Sequence, residues 1–275
     1  MYEDPNLYSE HSKDHQKEAK YMLDAYSDYL KWNKYETVLD IGCGSGDVTN
    51  NVIKPYLDPS FKALVAVDKS EKMIRFNETK WPFDPRVHYH VLDISEPCSI
   101  QTLPDNLQQY DKIFSFFCLQ WIRNRRAAAE SMFKLLKPGG EGFLLVVVHS
   151  GIYIVFDTIA KSPKWKQFFQ GYKLPFNEYV YMDEPDEVFC KALRSNGLIV
   201  KKSALEMRKN VFTTRTLTDE EMMSRIRTVD PLICSVPEDL KEEYLKEVLK
   251  LTKELVSPRG ATDYHALTVI IEKPL

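Results

Sequence analysis

A glycine-rich loop follows the first strongly apolar run of the chain, and a carboxylate precedes it. The run 38–41 leads into Gly42, Gly44 and Gly46, with Asp40 two residues before the first glycine. Glycines let a backbone approach a ligand closely and adopt positive φ. A dinucleotide-binding loop would read GxGxxG and hold a pyrophosphate at a helix N-terminus. Here the spacing is GxGxG, and the carboxylate disfavours a pyrophosphate and suits an ammonium group.

Two more acidic residues end the next two apolar runs. Asp68 lies about twenty residues past the glycines, where a carboxylate can accept both hydroxyls of a ribose. Asp93 follows the third run, where it can accept from an adenine amino group while Ile94 packs on the ring. Alone, either residue could equally cap a helix. Together with the glycine loop they favour S-adenosylmethionine, which carries an ammonium and a sulfonium but no phosphate.

Apolar runs alternate with amphipathic segments, which predicts an α/β fold with a parallel sheet and right-handed crossovers. The continuous apolar runs are typical of a sheet covered on both faces. We predict strands at 37–41, 63–68, 87–92, 110–117, 142–148, 198–205 and 266–271, and helices at 14–30, 48–57, 70–78, 127–136, 186–195 and within 218–255. The Lys-Pro-Gly-Gly sequence at 137–140 predicts a break before the fifth strand.

The elements indicate a single domain over residues 1–275, with a core at about 36–150 and 186–275. Two inserts, about 150–185 and 215–260, interrupt this plan, and insertions near the carboxyl ends of strands usually build the substrate pocket. We expect a subset of the inserts' large apolar side chains to line a tunnel for an isoprenoid or fatty tail, and the rest to form their core. These side chains are Tyr153, Phe156, Trp165, Phe168, Phe169, Tyr172, Phe176, Ile226 and Val229.

Composition narrows the functional class. The net charge of −3 and the pI of about 6.1 argue against a dedicated nucleic-acid binder. The five cysteines are scattered and never form CxxC, so we predict reduced thiols and no metal site. The N-terminus is polar, and the most apolar run, 143–149, is too short to span a bilayer. These features predict a cytoplasmic protein without a membrane span.

The stretch from Val38 to Val148 resembles the core of class I S-adenosylmethionine-dependent methyltransferases. The glycine loop, the acidic end of strand two, the Asp-Ile pair and the Pro-Gly-Gly turn carry this resemblance. It implies a Rossmann-like, seven-stranded, mainly parallel sheet with a final antiparallel strand. It also implies that Cys43, Lys69, Met73 and Ser115 join the residues named above around the cofactor.

A closer resemblance covers nearly the whole chain. The segments Asn6-Leu7-Tyr8 with Gln16, 115–123, 162–165, 229–231 and 236–240 are similar to insect juvenile hormone acid O-methyltransferases. That family methylates the carboxylate of farnesoic acid or juvenile hormone acid. The resemblance therefore implies a small hydrophobic carboxylic acid as substrate and S-adenosylhomocysteine as the second product.

The family resemblance places Gln16 and Trp121 on the substrate carboxylate. Both side chains are hydrogen-bond donors, so they can hold and aim a carboxylate without protonating it. Tyr8, Gln120, His149 and Tyr153 are the further predicted substrate-binding residues. The family commonly carries His at the position of Gln120, which leaves open a different or broader acid substrate.

The implied reaction is direct displacement, in which a carboxylate oxygen attacks the sulfonium methyl and no general base is needed. Three alternatives stay open: methylation of another small acid (a fatty acid or an aconitate-type acid), methylation of an amine, and a non-catalytic protein that binds the cofactor. An acidic pocket would favour the amine, whereas the Gln and Trp donors favour an acid. The helical inserts could also form a homodimer interface.

Overall fold

The computed structural model describes residues 4–175, 181–208, 217–256 and 263–275. These residues contain a seven-stranded sheet in the order β3-β2-β1-β4-β5-β7-β6. Strands β1 to β5 are parallel, and β7 runs antiparallel to both β5 and β6. The predicted fold class is confirmed. The strands are β1 Thr37–Ile41, β2 Ala63–Asp68, β3 Val87–Val91, β4 Tyr110–Phe116, β5 Leu136–Ser150, β6 Ile199–Arg208 and β7 Tyr264–Glu272.

Helices pack on both faces of the sheet. In the described residues they are α1 Pro5–Glu10, α2 Lys13–Tyr26, α3 Lys54–Tyr56, α4 Glu71–Lys80, α5 Arg125–Leu135, α6 Gly151–Lys161, α7 Pro185–Arg194, α8 Asp219–Val229 and α9 Lys241–Leu255. A π-helical turn, Thr49–Ile53, runs directly into α3, so the helix predicted at 48–57 is present with irregular geometry. None of the described helices is long and apolar enough to cross a bilayer.

The core lies in two layers because successive strand residues point to opposite faces. Leu39 and Ile113 belong to the larger cluster, which packs against α5, α6, α7 and α9. Their neighbours Val38 and Phe114 belong to the cluster that packs against α2. All four side chains are inaccessible to solvent, which explains why the central strands are apolar without alternation.

Strand β5 is longer than predicted. It runs without interruption from Leu136 to Ser150, and the Pro-Gly-Gly sequence forms an irregularity in its pairing with β4. Gly139 has a φ of +73°, and a Cβ on Gly140 would lie 2.9 Å from the carbonyl oxygen of Lys137. The glycines therefore bend a continuous strand, and the predicted break is wrong.

The short helix α1 was not predicted, although its ends carry recognisable signals. The carboxylate of Asp4 accepts from the backbone N–H groups of Asn6 and Leu7, and Pro5 occupies the first helical position. The following helix ends at Tyr26 and continues as a 3₁₀ turn, Ser27–Tyr29, instead of reaching residue 30.

The first insert packs largely on itself and on α9. Phe156 and Trp165 are inaccessible to solvent, and the Trp165 ring lies edge-on to Tyr244, with centroids 5.2 Å apart. The Trp165 indole also donates to Glu247 at 2.7 Å. Phe156 and Trp165 therefore form part of the core of the insert. This is the role expected for those of the inserts' large apolar side chains that do not line a tunnel. Phe176, from the same predicted set, lies outside the described residues.

Candidate active site

The strand order creates a crevice between β1 and β4. From β1 the chain proceeds outward through β2 and β3, and from β4 it proceeds outward in the opposite direction through β5. In open α/β sheets, ligands bind at this switch point, beyond the carboxyl ends of the strands. The glycine loop leaves the end of β1, and Phe117 and Cys118 leave the end of β4, so both flank the crevice.

The glycine loop is packed too tightly to carry side chains. Gly42, Gly44 and Gly46 have φ values of +76°, +53° and +74°. A Cβ on Gly42 would lie 2.2 Å from the Sγ of Cys118, and one on Gly46 would lie 1.9 Å from the Oδ1 of Asn77. The backbone of this loop, without side chains, therefore forms the wall of the crevice.

Asp40 is buried just before this loop, at 2 % exposure. The hydroxyl of Thr49 donates to its Oδ2 at 2.6 Å. No lysine, arginine or histidine of the described residues forms an ion pair with it. Burial raises the pKa of Asp40 to about 7, and the nearby charge of Asp68 adds to this effect. A buried carboxylate without a cation suits a ligand ammonium group, as proposed from the sequence.

Asp68 holds the glycine loop against α4. Its Oδ2 accepts from the backbone N–H of Gly44 at 3.0 Å, and its Oδ1 accepts from that of Ser70 at 2.9 Å. Ser70 in turn caps α4 by accepting from the N–H of Met73, which is buried, whereas Lys69 is exposed. The predicted acidic strand end thus fixes the shape of the loop.

The remaining predicted cofactor residues surround the same edge of the sheet. The Oδ1 of Asp93 accepts from the backbone and hydroxyl of Ser95, and Ile94 is buried beside it. The buried hydroxyl of Ser115 donates to the carbonyl oxygen of Ile41 at 3.0 Å, which joins β4 to β1. Cys43 is buried within the loop.

Three rings lie together over the crevice, one each from α1, α2 and the residue after β4. The Tyr8 ring covers the glycine loop, since a Cβ on Gly44 would lie 3.2 Å from it. His15 stacks with Tyr8 at a centroid distance of 6.0 Å and lies tilted against Phe117 at 4.8 Å. Burial, with the charge of Asp68, raises the pKa of the Tyr8 hydroxyl. Tyr8, predicted to bind substrate, therefore lies against the cofactor loop.

His15 and Phe117 are absent from the predicted site. His15 lies four residues before Ala19 and seven before Met22, so the helical period already placed it on the buried face of α2. Phe117 carried no such signal. Its φ of +55° is an uncommon conformation for a residue other than glycine, and only the structure reveals it.

Gln16 uses its amide within the chain. Its Nε2 donates to the hydroxyl of Ser12 at 2.8 Å, and its Oε1 accepts from the Nδ2 of Asn51 at 3.0 Å. The role of Gln16 on the substrate carboxylate stays a prediction. It requires the Nε2 group to give up its bond to Ser12 and to donate to the carboxylate instead.

Trp121 and Gln120 lie on the 3₁₀ turn that follows β4. The half-buried Trp121 ring meets buried Tyr153 of α6 edge-on, with centroids 6.0 Å apart, so two predicted substrate residues are neighbours. Gln120 turns inward, where its Nε2 donates to the carbonyl oxygen of Phe117 at 2.9 Å. Its buried Oε1 has no hydrogen-bond partner in the described structure.

His149, the last predicted substrate residue, is half-buried near the end of β5. Its ring lies edge-on to His265 of β7 at 5.4 Å. Across the described residues, no group of three or more His, Cys, Asp or Glu side chains is arranged to hold a metal ion.

Comparison with known proteins identifies the chain as a methyltransferase. A methyltransferase domain family matches residues 39–141, from the glycine loop into β5. The juvenile hormone acid O-methyltransferase of Drosophila melanogaster is 28% identical over 93% of this chain and 84% of its own. The Bombyx mori protein of the same name is 26% identical over 91% and 86%. The chain resembles these two insect enzymes over nearly its whole length. It is an S-adenosylmethionine-dependent methyltransferase.

Solved structures agree with this assignment at the level of the fold. Coclaurine N-methyltransferase aligns with a TM-score of 0.55 at 18% identity, covering 93% of this chain and 72% of its own. The cyclase SpnF aligns with a TM-score of 0.54 at 15% identity, covering 93% and 81%. One fold thus carries a methyltransferase and a cyclase, so the reaction has to be argued from the site and from the sequence relatives.

Proposed function

We propose that this enzyme methylates the carboxylate of a hydrophobic acid of the juvenile hormone acid or farnesoic acid type. The similarity to the two insect enzymes carries this proposal, because it extends over both helical inserts as well as the cofactor core. A ubiquinone or menaquinone C-methyltransferase of Geobacter sulfurreducens covers only 42% of the chain. A malonyl-[acyl-carrier protein] O-methyltransferase of Acetivibrio thermocellus covers 98% of it, but at a lower identity of 22%.

The residues of the crevice fit the cofactor. S-adenosylmethionine, when bound, supplies a methyl group activated by a positively charged sulfur. In this proposal Asp40 receives its ammonium group, Asp68 its ribose hydroxyls, and Asp93 with Ile94 its adenine. The buried Asp40 carboxylate, which lacks a cation in the described structure, supports the first of these assignments.

The acceptor needs positioning more than activation. A free carboxylic acid has a pKa of about 4 to 5, close to that of Glu, and is ionised near neutral pH. The protein therefore has to hold one carboxylate oxygen at attack distance and exclude water. We assign Trp121 and Gln16 as donors to this carboxylate. Neutral donors suit the task, because a stronger set would reduce the nucleophilicity of the oxygen.

The aromatic wall formed by Trp121 and Tyr153 supports an apolar acid. It continues into the packed insert around Phe156 and Trp165. Burial of each CH₂ group of a tail contributes about 0.8 kcal/mol to binding. None of the five cysteines forms a disulfide, which supports the cytoplasm as the location.

A methyl-transfer assay with purified protein tests the proposal. The acids are farnesoic acid, juvenile hormone acids, saturated fatty acids and a small tricarboxylate. We expect methyl ester on the isoprenoid acids. Ester on the other acids alone would retain carboxyl methylation and reject the isoprenoid class. No ester on any acid, with cofactor binding intact, would reject carboxyl methylation.

Trp121 provides the matching variant. Trp121→Phe keeps a ring against Tyr153 but removes the indole N–H. We expect kcat/KM for the acid to fall about tenfold or more, the usual loss for a hydrogen bond to a charged group, with unchanged affinity for S-adenosylmethionine. Full activity in this variant would reject the assignment of Trp121 to the carboxylate.

A further inference from the structure

His15 is a polar side chain enclosed by two aromatic rings. Its imidazole lies between Tyr8 and Phe117, at centroid distances of 6.0 and 4.8 Å. Tyr8 contacts the glycine loop after β1, and Phe117 directly follows β4. The imidazole is thereby held at the switch point of the sheet, between the glycine loop after β1 and the turn after β4 that carries Gln120 and Trp121.

The hydrogen-bonding capacity of this imidazole is unused. Within the described residues neither ring nitrogen of His15 bonds to another protein group, although each can donate or accept, and the side chain is partly exposed. The neighbouring Gln16 amide differs, since it is bonded at both ends to Ser12 and Asn51. His11, one turn earlier, is bonded to the hydroxyl of Ser224 at 2.7 Å. His15 is thus the histidine of this helix whose partly exposed ring nitrogens stay open to a ligand.

We propose that His15 binds the substrate, with its N–H donating a hydrogen bond to the carboxylate that accepts the methyl group. The inference rests on the proposed function and deepens it, because it adds a donor that neither the sequence nor the relatives assign. It also accounts for the two rings, which fix the imidazole plane and leave its nitrogens at the ring edge.

The chemistry of the imidazole suits this role. Burial lowers the pKa of His15, and the positive charge of Arg225 lowers it further while Asp14 opposes the change. The side chain is therefore neutral near pH 7 and donates one N–H without transferring a proton to the acid. A neutral donor holds the oxygen and preserves its nucleophilicity, as argued above for Trp121.

Two variants separate donation from packing. His15→Phe keeps a ring between Tyr8 and Phe117 but removes the donor, whereas His15→Gln keeps a donor and loses the ring. The equivalent change His88→Phe, on β3 away from the crevice, is the control. Steady-state kinetics with farnesoic acid and calorimetric titration of S-adenosylhomocysteine are measured for each variant, with thermal unfolding as the check on folding.

We expect His15→Phe to lower kcat/KM for the acid about ten- to hundredfold, with affinity for S-adenosylhomocysteine within about twofold of the wild type. His15→Gln should recover most of this loss, and His88→Phe should match the wild type. Activity of His15→Phe equal to wild type would overturn the inference, as would a parallel loss of affinity for S-adenosylhomocysteine in both His15 variants. If the wild-type enzyme methylates the acid, either result rejects the role of His15 and leaves the proposed function standing. Absence of ester with the wild type rejects both.

Discussion

Asp40 is a buried acid whose protonation couples to cofactor binding. Its pKa of about 7 means that the free protein holds this carboxyl largely protonated at pH 6 and largely ionised at pH 8. If an ammonium group pairs with the ionised form, binding below pH 7 has to release a proton. We therefore expect affinity for S-adenosylmethionine to rise as pH increases from 6 to 8 and then to level off.

Calorimetric titration in two buffers of different ionisation enthalpy measures both the affinity and the protons released. Asp40→Asn is the matched variant, because its amide oxygen can still accept from the hydroxyl of Thr49. It should bind more weakly at pH 8 and lose the pH dependence. An unchanged slope in this variant would assign the titration to another group.

The same shift affects folding in a definite direction. The folded-state pKa of Asp40 lies above its unfolded value of about 3.9, so the folded state binds more protons between these values. Its contribution to stability is present below about pH 4 and is lost as pH rises through 7. Keeping the Asp40 carboxylate buried for a cationic ligand thus lowers the free energy of unfolding near neutral pH.

At the scale of single elements, a buried ion pair joins the amino ends of β1 and β4. Lys112 of β4 lies 2.5 Å from Glu36, directly before β1, and both side chains are almost fully buried. Lys112 also donates to the carbonyl oxygen of Lys31. This pair occupies the edge of the sheet opposite the glycine loop, so it bears on folding and not on the crevice.

Removing both partners should cost less than the sum of the two single removals. Lys112→Met leaves Glu36 charged and buried, and we expect a loss of about 3–5 kcal/mol in the free energy of unfolding. The double variant with Glu36→Gln should be destabilised by less than the sum of the two single changes. Urea denaturation measures the cycle, with the exposed pair Glu130 and Lys134 as control at below about 1 kcal/mol. Additive losses would show that the pair is not coupled.

Strands were predictable from sequence because their cause is local. The apolar runs of β1 and β2 have the same bounds in the sequence and in the structure, since burial on both faces excludes polar residues. The glycine loop was equally predictable from the sequence. Close packing at Gly42 and Gly46 leaves no room for a side chain, so only glycine fits at these positions.

The three rings over the crevice, Tyr8, His15 and Phe117, form what we call its upper wall. This wall was not predictable from the sequence in the same way. Its members come from α1, α2 and the end of β4, and His15 meets Phe117 across about a hundred residues. Neither side chain has a local pattern that specifies this contact. The six residues of α1 are also too few to show a helical period, so only the cap at Asp4 and Pro5 indicated it.

At the scale of the whole molecule, the first and last thirds of the chain close over the same crevice. Arg225 of α8 lies 2.6 Å from Asp14 of α2, and both side chains are about one-fifth exposed. The bond between His11 and Ser224 lies beside this ion pair. The late insert therefore holds the helix that carries His15, which makes the position of the upper wall depend on both segments.

Exchanging the charges of Asp14 and Arg225 tests whether their ion pair positions the rings over the crevice. Asp14→Arg puts two cations together and should displace α2, weakening S-adenosylmethionine about five- to tenfold, as expected when a pair worth about 1 kcal/mol becomes repulsive. Adding Arg225→Asp restores an opposite pair, and affinity should return to within about threefold of wild type. The exposed pair Lys20 and Asp24 on the same helix is the control, since its exchange should leave affinity unchanged. A double variant no better than Asp14→Arg alone would mean that α8 contacts α2 without positioning it, and that Tyr8 and Phe117 hold His15 by themselves.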